Sequence, residues 1–287
     1  MTTLHVDVFV KHPLPKPLES FTSLLKRTLS GIGIDTVDAA ILLCFPNLDR
    51  RSTRSVNDFG LKSYDRLPTR LNQTISVIER STFKHLAMKF GRSTHPQAIS
   101  RFLSGSVTLT LRWCPYCLGE SDYCLLPWQF QSLVGCPVHQ VELRSLCSNC
   151  NQTIPLFKAP LRVDICPNCK TYLPSQNTVL LSSTQIIETE KVYKELAFLL
   201  TPQEWDTLGV KLTSYVGRCL ASIRLDERLS LRDMAKVSGL SVTALNGIEM
   251  SKPTLYGAPF RNYWELTRFF NIYLSDVFQH AVAQVNF

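Results

Sequence analysis

The chain has 287 residues, 45% of them hydrophobic and 19% charged, with a formal net charge of +8. That length suits two or three modest domains rather than one large core, and the composition is that of a globular chain. No run of about 18 apolar residues occurs, which argues against a membrane span. The opening "MTTLHVDVFVKHPLPKP" lacks the basic start and apolar run of a secretory signal, so a cytoplasmic protein is expected. There, clustered cysteines bind metal more often than they form disulfides.

The first hundred residues read as a small all-α domain, 1–105. Alternating prolines in "KHPLPKP" favour an extended lead-in. Leu18, Phe21, Leu25 and Leu29 then recur at helical spacing, and Gly31 and Gly33 stop the run. "DTVDAAILLCF" reads as a second helix with an Asp cap, and "DRLPTRLNQTISVIERST" and "STFKHLAMKF" as two more. Between helices, Arg50, Arg51 and Arg54 sit together as candidate phosphate contacts or as a solvated loop.

Eight of the ten cysteines lie between Cys114 and Cys169, in the expected zinc-binding domain 106–175. Four pairs have two-residue gaps: Cys114/Cys117, Cys136/His139, Cys147/Cys150 and Cys166/Cys169. Each turn aims two donors at one cation, and two turns complete a tetrahedral Zn²⁺ site. Eighteen residues separate the first turn from the second and fifteen the third from the fourth, whereas only seven lie between the second and third. Both longer gaps suit a zinc ribbon, so two sequential sites are predicted, with an interleaved cross-brace as the alternative. Four protein ligands leave no open position, which points to structural rather than catalytic zinc. Cys124 stands outside the pattern as a small buried hydrophobe. Trp128, Phe130 and Leu133 are the expected mini-core, with base stacking by Trp128 the sharper reading. Glu120, Asp122 and Glu142 read as solvated or capping carboxylates.

The net charge suggests an anionic partner, nucleic acid first. Seven thiolates and two dications would lower +8 to about +5, a mildly basic protein rather than a polycation.

Residues 176–287 form a third expected domain. "SYVGRCLASIRLDERLSLRDMAKVSGLSVTALNGIEMSK" reads as a helix followed by a helix–turn–helix. Leu231, Met234, Ala235 and Val237 are predicted to face inward, Gly239 to make the turn, and Ser241 to cap a helix whose Leu245 and Ile248 pack back. "YWELTRFFNIYLSDVF" supplies a following helix and a short last one. Base readout needs long polar side chains, yet the early positions of the second helix hold Val242, Thr243, Asn246 and Gly247. Thr243, Asn246, Lys252 and Arg261 remain candidates for DNA phosphates or for partner docking. The fold class expected is thus mainly α, with two tandem structural zinc ribbons between helical domains.

The "PLPKPLESFTSLLKR" opening, the helical domain and "CPYC…Y…W…CPVH…L…CSNC…CPNC" together resemble the TniQ/TnsD family over roughly residues 12–175. "MAKVSGLSVTALNGIE" resembles the lambda-repressor-like helix–turn–helix domains. The first resemblance implies a bacterial transposition target-selection protein, the sequential zinc pairing, and partners in the AAA+ ATPase TnsC, a CRISPR Cascade-type complex, double-stranded DNA and a second copy of the chain. Two functions follow: an adaptor linking a targeting complex to TnsC, or a TnsD-like reader of its own attachment site. A generic transcription regulator would leave the zinc block idle. No G-x-x-x-x-G-K-[ST] loop or His-Glu-x-x-His occurs, so the chain is not expected to be an enzyme.

Overall fold

The computed structural model describes residues 13–45, 56–61, 73–250 and 258–285. Arg50, Arg51, Arg54 and Lys252 lie outside the described residues, as does the "DRLPTRL" segment. Among the described residues the chain is mainly helical and holds isolated β-bridges in place of strands. No described helix is long and apolar enough to cross a membrane.

Two units emerge, each assembled from separate stretches of chain. The first takes in the described parts of Met1–Thr82, with Leu109–Gln129 and Val138–Leu181. The second takes in Phe83–Thr108, Phe130–Pro137 and the described parts of Ser182–Phe287.

In the first unit, α1 (Phe21–Gly31) starts at Ser20, whose side chain caps Ser23 N–H. Leu18 therefore precedes the helix instead of opening it. Its φ is +55°, and its carbonyl accepts from Leu126 N–H at 2.7 Å. The second helix, α2 (Val37–Cys44), is capped by Thr36 and not by Asp35. Asp35 is engaged elsewhere, its Oδ1 accepting from Leu161 N–H at 2.8 Å. A short α3 (Ile75–Glu79) follows. Phe21, Leu25 and Leu29 of α1 pack with Ala40, Cys44, Ile78, Phe157 and Leu161. The last two come from the loop between the third and fourth cysteine pairs, so that loop completes a helical core. α6 (Pro115–Glu120) and 3₁₀ turns at Leu126–Gln129 and Leu173–Ser175 finish this unit.

The second unit holds α4 (Lys84–Lys89), α5 (Pro96–Phe102), α7 (Ser183–Leu200), α8 (Gly209–Asp226), α9 (Leu231–Ser238), α10 (Val242–Glu249), α11 (Phe260–Phe269) and α12 (Leu274–Val285). Phe90 is its aromatic hub, with Phe102, Phe260, Tyr263 and Phe278 rings centred 5.0–5.7 Å away. Phe130 joins that cluster through Phe83 and Phe260. It is therefore spent on the aromatic core rather than on a private mini-core of the first zinc site. Beside the hub, the buried Lys89 Nζ donates to Asp206 Oδ1 and Thr201 O, both at 2.7 Å. Gly209 is required where α8 meets α4: a Cβ there would lie 1.7 Å from Met88 O.

α9 and α10 are joined through Gly239 at φ +70°. Ser241 caps Ala244 N–H, and Met234, Leu245 and Ile248 are buried. Val237, expected inside, is 57% exposed. At about 100° per residue, Leu231, Met234, Ala235 and Ser238 share one face and Val237 falls roughly a third of a turn from its centre. Arg224 of α8 anchors α10: its Nε and Nη2 reach Glu249 Oε1 and Oε2 at 2.6 and 2.8 Å, and Nη1 reaches Leu229 O at 2.6 Å.

This fork is mostly buried, so removing one partner strands the other charge. Glu249→Ala is expected to cost about 3 kcal/mol in urea denaturation, and Glu249→Gln less, since the amide keeps one acceptor.

A second expectation concerns Lys26 on α1, 3% exposed. Burial lowers its ammonium to about 8, against the pull of Cys124 and Asp58. Burial likewise raises Asp58 to about 6, although Thr22 N–H donates to its Oδ1 at 2.6 Å. For Lys26 the folded value lies below the unfolded 10.5, so the unfolded chain holds more protons between those values and stability rises with pH. Denaturation should show a gain of about 2 kcal/mol between about pH 7.5 and 9.5, and Lys26→Met should flatten it.

Candidate metal centres

In the second half of the cysteine block, backbone N–H groups of Asn149 and Cys150 reach the Cys147 sulfur, and those of Asn168 and Cys169 the Cys166 sulfur. In the first half, Pro115 occupies the opening turn of α6, between Cys114 and Cys117. In the second, Asn151 and Lys170 take positive φ just after Cys150 and Cys169, and their N–H groups return to the Cys147 and Cys166 carbonyls at 2.8 and 2.9 Å. The structure draws the donors into two groups, Cys114, Cys117, Cys136 and His139, and Cys147, Cys150, Cys166 and Cys169. Within each group all four donor atoms lie within 4.8 Å of one another.

The separations suit zinc. Sulfurs at about 2.3 Å from a tetrahedral Zn²⁺ stand about 3.8 Å apart, and a sulfur and a nitrogen about 3.6 Å. Cys147 Sγ lies 3.6 Å from Cys169 Sγ, and Cys150 Sγ 3.8 Å from Cys166 Sγ. His139 Nδ1 lies 3.6 Å from Cys114 Sγ and 3.2 Å from Cys117 Sγ. The chemistry of the donors agrees. Desolvation pushes the Cys150 thiol up to about 12, while the Thr171 hydroxyl and the Asn149 side chain draw Cys169 down to about 5. Four crowded thiols ionise together only around a cation, and soft thiolates with one imidazole select Zn²⁺ over hard ions.

Around these donors lie groups that pattern reading missed. His139 Nε2 is 2.9 Å from Glu120 Oε1, so with Nδ1 turned to the sulfurs the Nε2–H donates to the carboxylate. The Tyr116 ring packs on the imidazole, centroids 5.3 Å apart. At the second cluster, Gln176, 6% exposed, donates from Nε2 to Cys147 Sγ at 3.2 Å and accepts from Ser148 N–H at 3.0 Å. Nothing in a ligand-spacing pattern marks a lone Glu or Gln. A carboxylate three residues after Cys117, one helical turn on, is the signal that could have found Glu120.

The remaining expectations divide. Cys124 is buried, its thiol pushed up to about 12 chiefly by burial. Trp128 is 1% exposed and offers no face to a base. Thr243 is exposed on α10, Asn246 is half-buried, and Arg261 is 60% exposed with its Nε on Glu265 Oε1 at 2.5 Å.

Metal analysis of the purified chain is expected to find two zinc ions per chain, falling to one in Cys150→Ser and in His139→Ala. Glu120→Gln should keep both ions but weaken the His139 site by about 10- to 100-fold in chelator competition. Unchanged affinity would deny Glu120 a share in orienting the imidazole.

Comparison with known proteins adds the family. Residues 10–143 match the family model described as TniQ. The match contains α1–α6 and the whole first cluster, and ends before Cys147. No curated protein matches the chain. From residue 10 to residue 143, then, this chain is similar to the TniQ family.

Proposed function

We propose that the chain is a non-enzymatic target-selection adaptor of a bacterial transposon, acting in the cytoplasm. In this reading it links a targeting complex of the RNA-guided Cascade type to the AAA+ regulator TnsC and to DNA. The TniQ match over residues 10–143 is the observation that carries the proposal.

The metal clusters belong to it as scaffold. Cys114, Cys117, Cys136 and His139 would hold one Zn²⁺, and Cys147, Cys150, Cys166 and Cys169 the other. With all four positions of each taken by protein, a bound zinc supplies folding free energy. Gln176 and Glu120 orient donors, and the knuckles hold their loops against the helical core.

The surface of α10 supports an adaptor over a reader of its own site. Its exposed start holds Val242 and Thr243, and Gly247 has no side chain to offer. Such a face makes apolar, hydroxyl and backbone contacts rather than the bidentate pairs that discriminate bases. Sequence choice then falls to base pairing in the partner's guide RNA, while Thr243, Asn246, Lys252 and Arg261 hold phosphates or a protein surface.

A selection from random duplex DNA tests this, using the zinc-loaded full chain at about 150 mM salt to suppress bare phosphate attraction. Weak binding with no enriched motif is expected. A defined motif that disappears in Thr243→Ala/Asn246→Ala would replace the adaptor with a TnsD-like direct reader.

A further inference from the structure

Six residues leave the second cluster and run back across the first. The 3₁₀ turn Leu173–Ser175, just beyond Cys169, packs on α6, the helix that carries Cys117. A Cβ at Gly119 would stand 3.4 Å from Pro174 Cβ, so the two elements are in close contact. Gln176 then turns into the Cys147 knuckle, holding Sγ at 3.2 Å and Ser148 N–H at 3.0 Å. Thr178 Oγ1 meets Tyr116 Oη at 3.3 Å, and Tyr116 is the residue whose ring packs on His139. Finally the segment pairs antiparallel with the chain just past His139: Glu142 N–H donates to Val179 O and Leu181 N–H to Gln140 O, both at 2.9 Å.

We infer that residues 176–181 are a strap that couples the two metal clusters, with Gln176 as its latch on the second and Thr178–Leu181 as its hold on the first. The inference rests on the reading that both clusters hold zinc. Its physical content is reciprocity. The latch is made to a ligand sulfur and its neighbouring amide, so it is held in place only while the Cys147 knuckle keeps its closed form. Losing the second ion frees Gln176, slackens the strap, and removes the packing that sets Tyr116 and His139. A coupling between two binding events must act equally in both directions. Glu120, by contrast, acts on the first cluster alone.

The test is a two-by-two cycle on the full chain titrated with Co²⁺, whose visible bands distinguish three sulfurs and one nitrogen from four sulfurs. Cys150→Ser disables the second cluster, and Gln176→Met removes the latch while keeping the side chain's length. With Gln176 present, Cys150→Ser should weaken Co²⁺ at the His139 cluster about 10-fold; in the Gln176→Met background it should leave that affinity unchanged. An unchanged His139-cluster affinity in Cys150→Ser with Gln176 intact would overturn the strap. An equal loss in both backgrounds would also overturn it, since general loosening of the unit would then suffice. Failure of the parent chain to take up two Co²⁺ would overturn the strap together with the metal reading. Two ions bound without coupling would sink the strap alone.

Discussion

Thiols repel one another once ionised and gain little by packing while protonated, so four of them within 4.8 Å is an arrangement that only a shared cation makes favourable. In the first unit, Cys147, Cys150, Cys166 and Cys169 are gathered in this way. Both knuckles of each cluster hold short loops with few apolar residues of their own. Once closed, they fix where the long intervening loops emerge. One of those loops sends Phe157 and Leu161 into the core that α1, α2 and α3 line. The loop between the two knuckles of the second cluster is thus also part of the helical core.

A chain of this size buries modest cores. A metal held by either cluster would supply rigidity that apolar area of this extent does not. Orienting groups then refine it. Glu120 fixes which imidazole nitrogen faces the sulfurs, and Gln176 gives an amide donor to Cys147 Sγ.

The second unit is stabilised differently, by aromatic packing around Phe90 and by a few buried charges with fixed partners. Lys89 meets Asp206, and Arg224 grips Glu249. Glu195, raised to about 7 by burial and opposed by Arg268, accepts from Leu274 N–H at 2.6 Å. Each such pair sets the position of one helix end against another. The exposed start of α10, by contrast, holds Val242 and Thr243, short of the side chains used in base readout.

Local chemistry was legible in the order of residues alone. Cys-x-x-Cys turns, their spacings, the Ser241 cap, the Gly239 turn and the 3.6-residue rhythm of Phe21, Leu25 and Leu29 all act within a few residues, so the sequence by itself determined the mainly helical class and the donor set of each metal cluster. What depends on distant chain was decided only by the tertiary structure. Asp35 forgoes its helix cap because Leu161 N–H, 126 positions away, takes its carboxylate. Phe130 leaves the zinc block for the aromatic core because Phe83 and Phe260 wait there. Gln176 and Glu120 acquire their roles through neighbours that no spacing rule names. A lone polar side chain has no pattern; its partner gives it meaning, and partners are chosen by packing.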